Sequence, residues 1–324
     1  MNASSARIPL SKSQKAARKS KTISFIILFI VCLLFLFPFI YLVGTSMKTP
    51  SELVNKPLSI FPSWGNFTFE HYWLFLNSDN HGRIDNLPIW MINSLVITSL
   101  QVIITLIVDT LAAYAFVFFK FKGKNVIVAI LLISMTIPGV IGTTPLYSLY
   151  VSIGKATGLS DVVLFTLHSV NNGVEATEYI YLYPYLWMIF PGVSGVFNLL
   201  LIKNFFESIP KDIVESARSD GASDLTIFRR IVLPLARSTI LLVVLFCFVG
   251  SWNDLLWPTL ITSGHPLNYT INVALVNYTG GVSDWSAKGA QTAAAVFSML
   301  PILILFLFLQ NKMIDGLAST GVKR

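Results

Sequence analysis

Two acids stand inside the apolar runs of this 324-residue chain, Asp109 and Asp254, and there they have the strongest reason to do chemistry. A carboxylate at the centre of a membrane helix costs ~3 kcal/mol on insertion scales, so its retention points to a use. Asp109 follows a long apolar stretch, where it can hydrogen-bond to a neighbouring helix or face a polar path. Asp254 stands beside Trp252 and Asn253, an aromatic face next to two polar groups. That set could line a polar path, and equally pack a gate near the end of a span. The histidines offer no further chemistry. His71, His81, His168 and His265 fall in polar loops without metal-ligand spacing. The chain has no His-Glu-x-x-His, no nucleophile elbow and no acids paired at one depth, so neither a catalytic residue nor a metal site is read from it. Cys32 and Cys247 both lie in apolar runs and read as small buried side chains, not as a disulfide or zinc site.

The elements that must position these residues are membrane helices. Hydrophobic side chains make up 54% of the chain and charged ones 12%, against about 25% charged in a soluble domain. This excludes a soluble enzyme, a disordered chain and a soluble nucleic-acid binder. At ~20 residues per crossing the pattern predicts six transmembrane helices, about 23–43, 89–119, 126–150, 185–201, 239–261 and 290–309. Ile137-Pro138-Gly139 predicts a kink in the third, and the fourth contains Pro191, Gly192 and Gly195. The fold class expected is an all-α polytopic membrane protein with a transmembrane domain over 23–312 and tails over 1–22 and 313–324.

Charge orients the spans. The net charge is +7, and six of the 23 basic residues (Arg7, Lys12, Lys15, Arg18, Lys19 and Lys21) precede the first apolar run. Lys120, Lys122, Lys124, the segment 203–237 and the C-terminus hold most of the others. With six spans they share one side, which the positive-inside rule makes cytoplasmic. Both termini are then cytoplasmic, and loops 44–88, 151–184 and 262–287 face outward. The first apolar run is too long for a signal-peptide core and no small-residue cleavage site follows it. The first outer loop carries Trp64, Phe67, Phe69, Tyr72, Trp73 and Phe75. It reads as an amphipathic segment in the membrane interface or as a docking surface for an outer partner. The N-x-S/T triplets at Asn2, Asn66, Asn268 and Asn277 read as chance occurrences.

Segment 203–237 is the least ordinary part of the chain. Ser208 and Pro210 are helix starts, Asp212 suits the first turn, and Gly221 suits a left-handed end. Ile213, Val214 and Ala217 form a narrow apolar stripe. Ser223 can cap a second helix with Leu225, Phe228, Ile231 and Leu235 on one face, closed by Pro234. A helix as short as the first is marginal alone in water. It docks either on its own protein or on a partner.

The whole stretch resembles the EAA loop of ABC importer permeases: Glu-Ala-Ala, three residues, Gly, nine residues, Ile-x-Leu-Pro. Glu215-Ser216-Ala217, Gly221, Ile231 and Leu233-Pro234 fall at that spacing, with Ser216 the departure, and Asp220-Gly221-Ala222 is similar to the family's Asp-Gly-Ala. Ala113-Tyr114-Ala115-Phe116 with Phe121-Lys122-Gly123-Lys124 resembles the second span of carbohydrate permeases. Gly250-Ser251-Trp252-Asn253-Asp254 and Trp257-Pro258 are similar to the fifth, and Asp315-Gly316-Leu317 with Gly321-Val322-Lys323 to the tail, where Ala318-Ser319-Thr320 departs. Loop 151–184 is longer than in many relatives. The chain resembles the smaller membrane subunit of maltose-type sugar importers.

The resemblance implies a heterodimer with a second permease and an ATPase dimer docked on the 203–237 loop and the C-terminal tail. It also implies an extracytoplasmic binding protein that delivers a sugar or oligosaccharide, and a prokaryotic inner or plasma membrane. ATP and Mg would bind the partner ATPase, since this chain has no phosphate-binding Gly-x-x-x-x-Gly-Lys loop. The resemblance assigns Glu215, Ser216, Ala217, Asp220, Gly221 and Ala222 to ATPase docking. Trp252, Asn253, Asp254 and Asp109 are the candidates for the substrate pathway or gate. A non-sugar organic solute is the alternative cargo. An ion-coupled carrier would need internal repeats or matched unwound segments, and no convincing pair is found.

The Lys/Arg asymmetry sets a test. Cysteines at Ser13 and Ser319 should resist impermeant thiol reagents in intact cells, and one at Ser78 should react. Labelling of the two termini from outside would overturn the six-span topology.

Overall fold

The computed structural model describes residues 12–73, 87–171, 174–277 and 285–321, with side chains given outside 12–18, 168–176, 285–287 and 313–321. Among these residues, four helical stretches are long and apolar enough to cross a membrane: Lys19–Ser46, Leu87–Phe118, Arg237–Ile261 and Lys288–Lys312. Two more qualify only as bent pairs, Lys124–Ser134 with Gly139–Thr157 at 95°, and Leu182–Gly192 with Val196–Glu207 at 43°. Contacts divide the chain into two units, Met1–Tyr72 with Gly280–Val296, and Trp73–Thr279 with Phe297–Arg324.

In the first unit, α1 (Lys12–Ser46) starts within the basic tail and leaves its apolar side chains from Ile23 to Phe39 uncovered by protein. Cys32 is therefore exposed rather than buried, because a helix solvated by lipid has no need to bury its apolar surface in protein. Beyond α1 the aromatic-rich loop is folded around Lys48. Its ammonium is fully buried and donates to the carbonyls of Lys56 (3.2 Å), Pro57 (3.5 Å) and Ser59 (2.5 Å). Burial pushes the Lys48 pKa down, opposed by the nearby Glu52 carboxylate. Glu52, on the short helix Pro50–Asn55, accepts from the Ser63 amide at 3.0 Å. His71 donates to the Lys48 carbonyl at 2.9 Å. A Cβ at Gly44 would stand 1.9 Å from the Ile60 carbonyl oxygen, so only glycine lets the loop close this tightly. The result displays Phe61, Phe67 and Phe69, with Trp64 98% exposed. Phe75, His81 and Ser78 lie outside the described residues.

The second unit is organised around α2 (Leu87–Phe118). After the Lys120–Lys124 turn come α3 (Lys124–Ser134) and α4 (Thr143–Thr157). The kink expected at Pro138 is a full break, because Met135–Pro138 leaves the helix altogether and a single turn restarts it. The hydroxyls of Ser134 and Thr136 bond back to Leu131 and Ile133 there. The 151–184 segment is not a plain loop. It holds the antiparallel strands β1 (Val163–Asn171) and β2 (Val174–Tyr181), so among the described residues the fold is helical with one hairpin rather than strictly all-α. Runs of β-branched and aromatic residues about Asn172-Gly173 carry that signal in the sequence.

α5 (Leu182–Ile189) and α6 (Val196–Glu207) form the second bent pair. α7 (Lys211–Ser219), α8 (Arg237–Trp252), α9 (Leu256–Ile261) and α10 (Ile271–Asn277) follow. α11 runs from Trp285 to Gly321, so most of the expected C-terminal tail continues the last helix. One core packs Tyr114 and Phe116 of α2 against Ile202 and Phe206 of α6, with Val214 and Phe228 beneath. A second core joins Ile97, Met188, Trp257 and Ile261.

Lys48→Met keeps the apolar stem and removes the ammonium from three carbonyls. Each hydrogen bond to a charged group is worth ~1.5–3 kcal/mol, so limited proteolysis within 47–73 should accelerate about tenfold in detergent. An unchanged rate would show that the ammonium does not hold the loop.

Candidate functional site

The segment from Pro210 to Ala236 is built from local rules. Pro210 precedes α7 with extended backbone and Asp212 sits in the first turn, facing the helix N-terminus. Val214 is buried in the first core, Ala217 is half-buried and Ile213 is exposed. Gly221 takes φ +81°, its amide donates to the Arg218 carbonyl and the Ala222 amide donates to that of Ala217, both at 3.0 Å. This pair of bonds is the Schellman motif, which satisfies the last carbonyls of a helix. Open space surrounds the position, so the backbone angle and not crowding demands glycine. Ser223 then caps a short helix, Asp224–Ile227, by accepting from the Thr226 amide at 3.3 Å.

Two details differ from the helical pattern expected. Phe228–Val232 is a π-turn, which shifts the apolar face: Ile227, Phe228 and Val232 are buried while Leu225 and Leu235 are exposed. Pro234 lies inside a short helix, and the chain turns at Ala236 instead.

Glu215, Ser216, Asp220 and Gly221 are all exposed, and Ala222 is half-buried. Beside them Arg218 grips Asp224 through Nη2 (2.8 Å) and Nε (3.2 Å), and the Tyr114 hydroxyl donates to the same carboxylate oxygen at 3.1 Å. Those guanidinium bonds hold the Asp224 carboxyl below the ordinary carboxylate value. The sequence marked Tyr114 only within the second-span resemblance and did not join it to Arg218 and Asp224, because it stands on a different helix.

Inside the spans, Asp109 is fully buried. It accepts from the Ser194 hydroxyl at 2.7 Å and the Gly195 amide at 3.4 Å, at the break where α6 begins. The first turn of a helix has amides with no partner of its own, and in hydrocarbon no water can serve them. Asp254 lies against the amides of Leu255, Leu256 and Trp257, at the start of α9. Trp252 is buried, donates through Nε1 to the Ser298 carbonyl at 3.0 Å, and stacks on Phe248. Asn253 is exposed. The structure thus gathers 252–254 at one chain break, and no hydrogen bond among the described residues joins them to Asp109. Cys247 is half-buried and accepts from Asn198 at 3.1 Å.

At the Leu87 end of α2, Asn93 donates to the carbonyls of Leu267 (2.7 Å) and Tyr269 (2.9 Å), and Trp90 to that of Pro266 (2.8 Å). Asn268 is buried and exchanges two hydrogen bonds with the Tyr181 backbone, fastening β2 to the same loop. Its side chain is committed to these contacts.

A family model described as the inner membrane component of binding-protein-dependent transport systems matches residues 106–316. The chain belongs to this family. It is 28% identical over 294 residues to the arabinooligosaccharides transport system permease AraQ of Bacillus subtilis (strain 168), covering 90% of this chain and 92% of that one. It is 26% identical over 288 residues to the diacetylchitobiose uptake system permease DasC of Streptomyces coelicolor, covering 89% and 91%. Its fold resembles a chain of a bacterial ABC transporter involved in the import of the polysaccharide alginate, with a TM-score of 0.68, 22% identity, and coverage of 94% and 99%. The resemblance to carbohydrate importer permeases is thereby established. The matched region contains Asp109, the whole Pro210–Ala236 segment and the 252–254 break.

For this inner membrane component, the geometry separates two roles for Asp109. Asp109→Leu leaves Ser194 and Gly195 unpaired at ~1–3 kcal/mol per group, and should lower the melting temperature in detergent by several degrees. Asp109→Asn keeps an acceptor and should lower it less. Full stability of both variants with transport abolished would instead put Asp109 on the solute path.

Proposed function

We propose that this chain is one of two permease subunits that form the pathway of an ABC importer for a sugar or oligosaccharide. An extracytoplasmic binding protein delivers the solute, and a separate ATPase, which holds ATP and Mg, docks on the 203–237 loop. The observation that carries the reading is the exposed Glu215-Ser216-Ala217 helix with its left-handed Gly221 end, standing on a member of this transporter family. Val214 and the half-buried Ala217 anchor that helix to the first core, and its outward face is left for a partner. The names of the relatives support carbohydrate as the cargo.

Counting each bent pair as one crossing supports six spans, with both termini on the Lys/Arg-rich, cytoplasmic side. In this reading the domains are the basic tail 1–22, the permease domain 23–312 and the tail 313–324. Asn253, exposed at a break in the fifth span, is the residue proposed to meet the solute or close the gate, and Trp252 and Asp254 fix its position.

Any side chain at Gly221 meets a left-handed backbone penalty of ~1 kcal/mol or more. Gly221→Val should therefore cut co-purification of the ATPase and solute-stimulated ATP hydrolysis by about tenfold, with normal membrane insertion. Glu215→Ala should do the same more mildly. Full association and stimulation in both variants would remove this loop as the ATPase dock.

A further inference from the structure

α7 is tied to the membrane part of the protein by Val214, Ala217 and Arg218, with Ala217 packed against the first core. Val214 enters the core, and Arg218 makes the polar connections. The Arg218 guanidinium donates to the Phe118 carbonyl at 3.5 Å, at the C-terminus of α2, while also gripping Asp224. Asp224 in turn accepts from Tyr114, one helical turn back along α2. The Tyr114 ring is itself fixed, packed on Phe118 at 4.9 Å and edge-on to Phe228 at 5.3 Å. Both ends of the linkage are therefore set: one on α7, the other on the last turn of α2.

The opposite end of α2 is held in the same manner. Trp90, Asn93 and Ser94 make hydrogen bonds to the backbone of 266–271, including one from the Ile271 amide to Ser94 at 2.8 Å. Between the two ends α2 is a continuous 32-residue helix, about 48 Å long at 1.5 Å per residue. The stretches packed around it are broken at 135–138, 193–195 and 253–255. A continuous helix passes on an axial displacement that a broken one absorbs. The Arg218–Asp224 pair is also half-exposed, and such pairs add little to stability. Its geometric consequence is larger than its energetic one.

We propose that Arg218, Asp224 and Tyr114 are positioning residues of the transport cycle, which fasten α7 to α2 so that a displacement of α7 is delivered to the 266–271 segment. The proposal rests on the reading of the 203–237 loop as the ATPase dock. Apolar contacts alone would let α7 slide on the core. The bidentate guanidinium, a shared carboxylate oxygen and a helix-end carbonyl fix its direction as well as its distance.

The test uses the complete transporter with its ATPase in proteoliposomes. Solute transported per ATP hydrolysed is measured together with amide hydrogen exchange of Lys211–Ser219 and 266–271, with and without ATP. In the wild type both segments should respond to ATP. In Asp224→Asn, α7 should still respond and ATP should still be hydrolysed, but the 266–271 response should fade and the transport ratio fall about fivefold, within the range of coupling energies between contacting residues. Tyr114→Phe, which keeps the ring packing, should show a smaller loss in the same direction. Asp224→Glu, which restores a carboxylate, should recover most of the ratio. Wild-type coupling and a wild-type response at 266–271 in Asp224→Asn would overturn the proposal. Loss of ATPase assembly in both Asp224→Asn and Tyr114→Phe would overturn it too, in favour of a docking role. Absence of any ATP response at α7 in the wild type would instead defeat the docking reading itself.

Discussion

Backbone amides and carbonyls inside a membrane have no water to fall back on, and much of this structure answers that constraint. Three membrane stretches of the second unit are interrupted, and the described breaks are lined by polar side chains. Ser134 and Thr136 serve the first, Asp109 with Ser194 the second, and Asp254 the third. A carboxylate is well suited to such a place. Its two oxygens can accept from more than one donor, at the end of the helix that restarts beyond the break, where amides lack partners. The two acids in the spans thus share a local chemistry although their settings differ. Asp109 works across helices and Asp254 within its own chain segment.

α2 is the element on which these arrangements converge. Ser94, Thr98, Gln101, Thr105 and Asp109 recur at three- and four-residue spacing, which places them on one helical face. Thr98 meets the Ser251 hydroxyl at 3.3 Å, and Thr105 reaches the Gly192 carbonyl at 3.4 Å. A Cβ at Gly192 would collide with the Gln101 side chain. Each polar side chain of the stripe lies where a neighbouring helix is weakened or closely approached. The opposite face, with Ile92, Ile103 and Ile107, is exposed and apolar, as lipid requires.

Lys48 shows the same economy in the first unit, where a single ammonium gathers the carbonyls of a tight loop. The loop needs that centre because its aromatics point outward and cannot form a core of their own. Exposed aromatics on a firmly held loop fit either interfacial anchoring or contact with an outer partner. The buried ammonium determines only that the loop has a definite shape.

The sequence by itself determined the features that depend on neighbours a few residues apart. The apolar runs, the Lys/Arg asymmetry, the start of α7 at Pro210, the left-handed Gly221 and the Ser223 cap all follow from local geometry, and the EAA-like spacing is legible for that reason. Tertiary structure decided what depends on distant partners. Asp109 finds Ser194 and Gly195 more than 80 residues away, a pairing no local pattern encodes. Arg218, Asp224 and Tyr114 meet across two elements, and Lys48 acquires its carbonyls only when the loop closes. The 95° break at Met135–Pro138 and the π-turn at Phe228–Val232 were likewise beyond periodicity. Proline permits a bend, but packing sets its size, and a one-residue change of helical register is read only from the face that becomes buried.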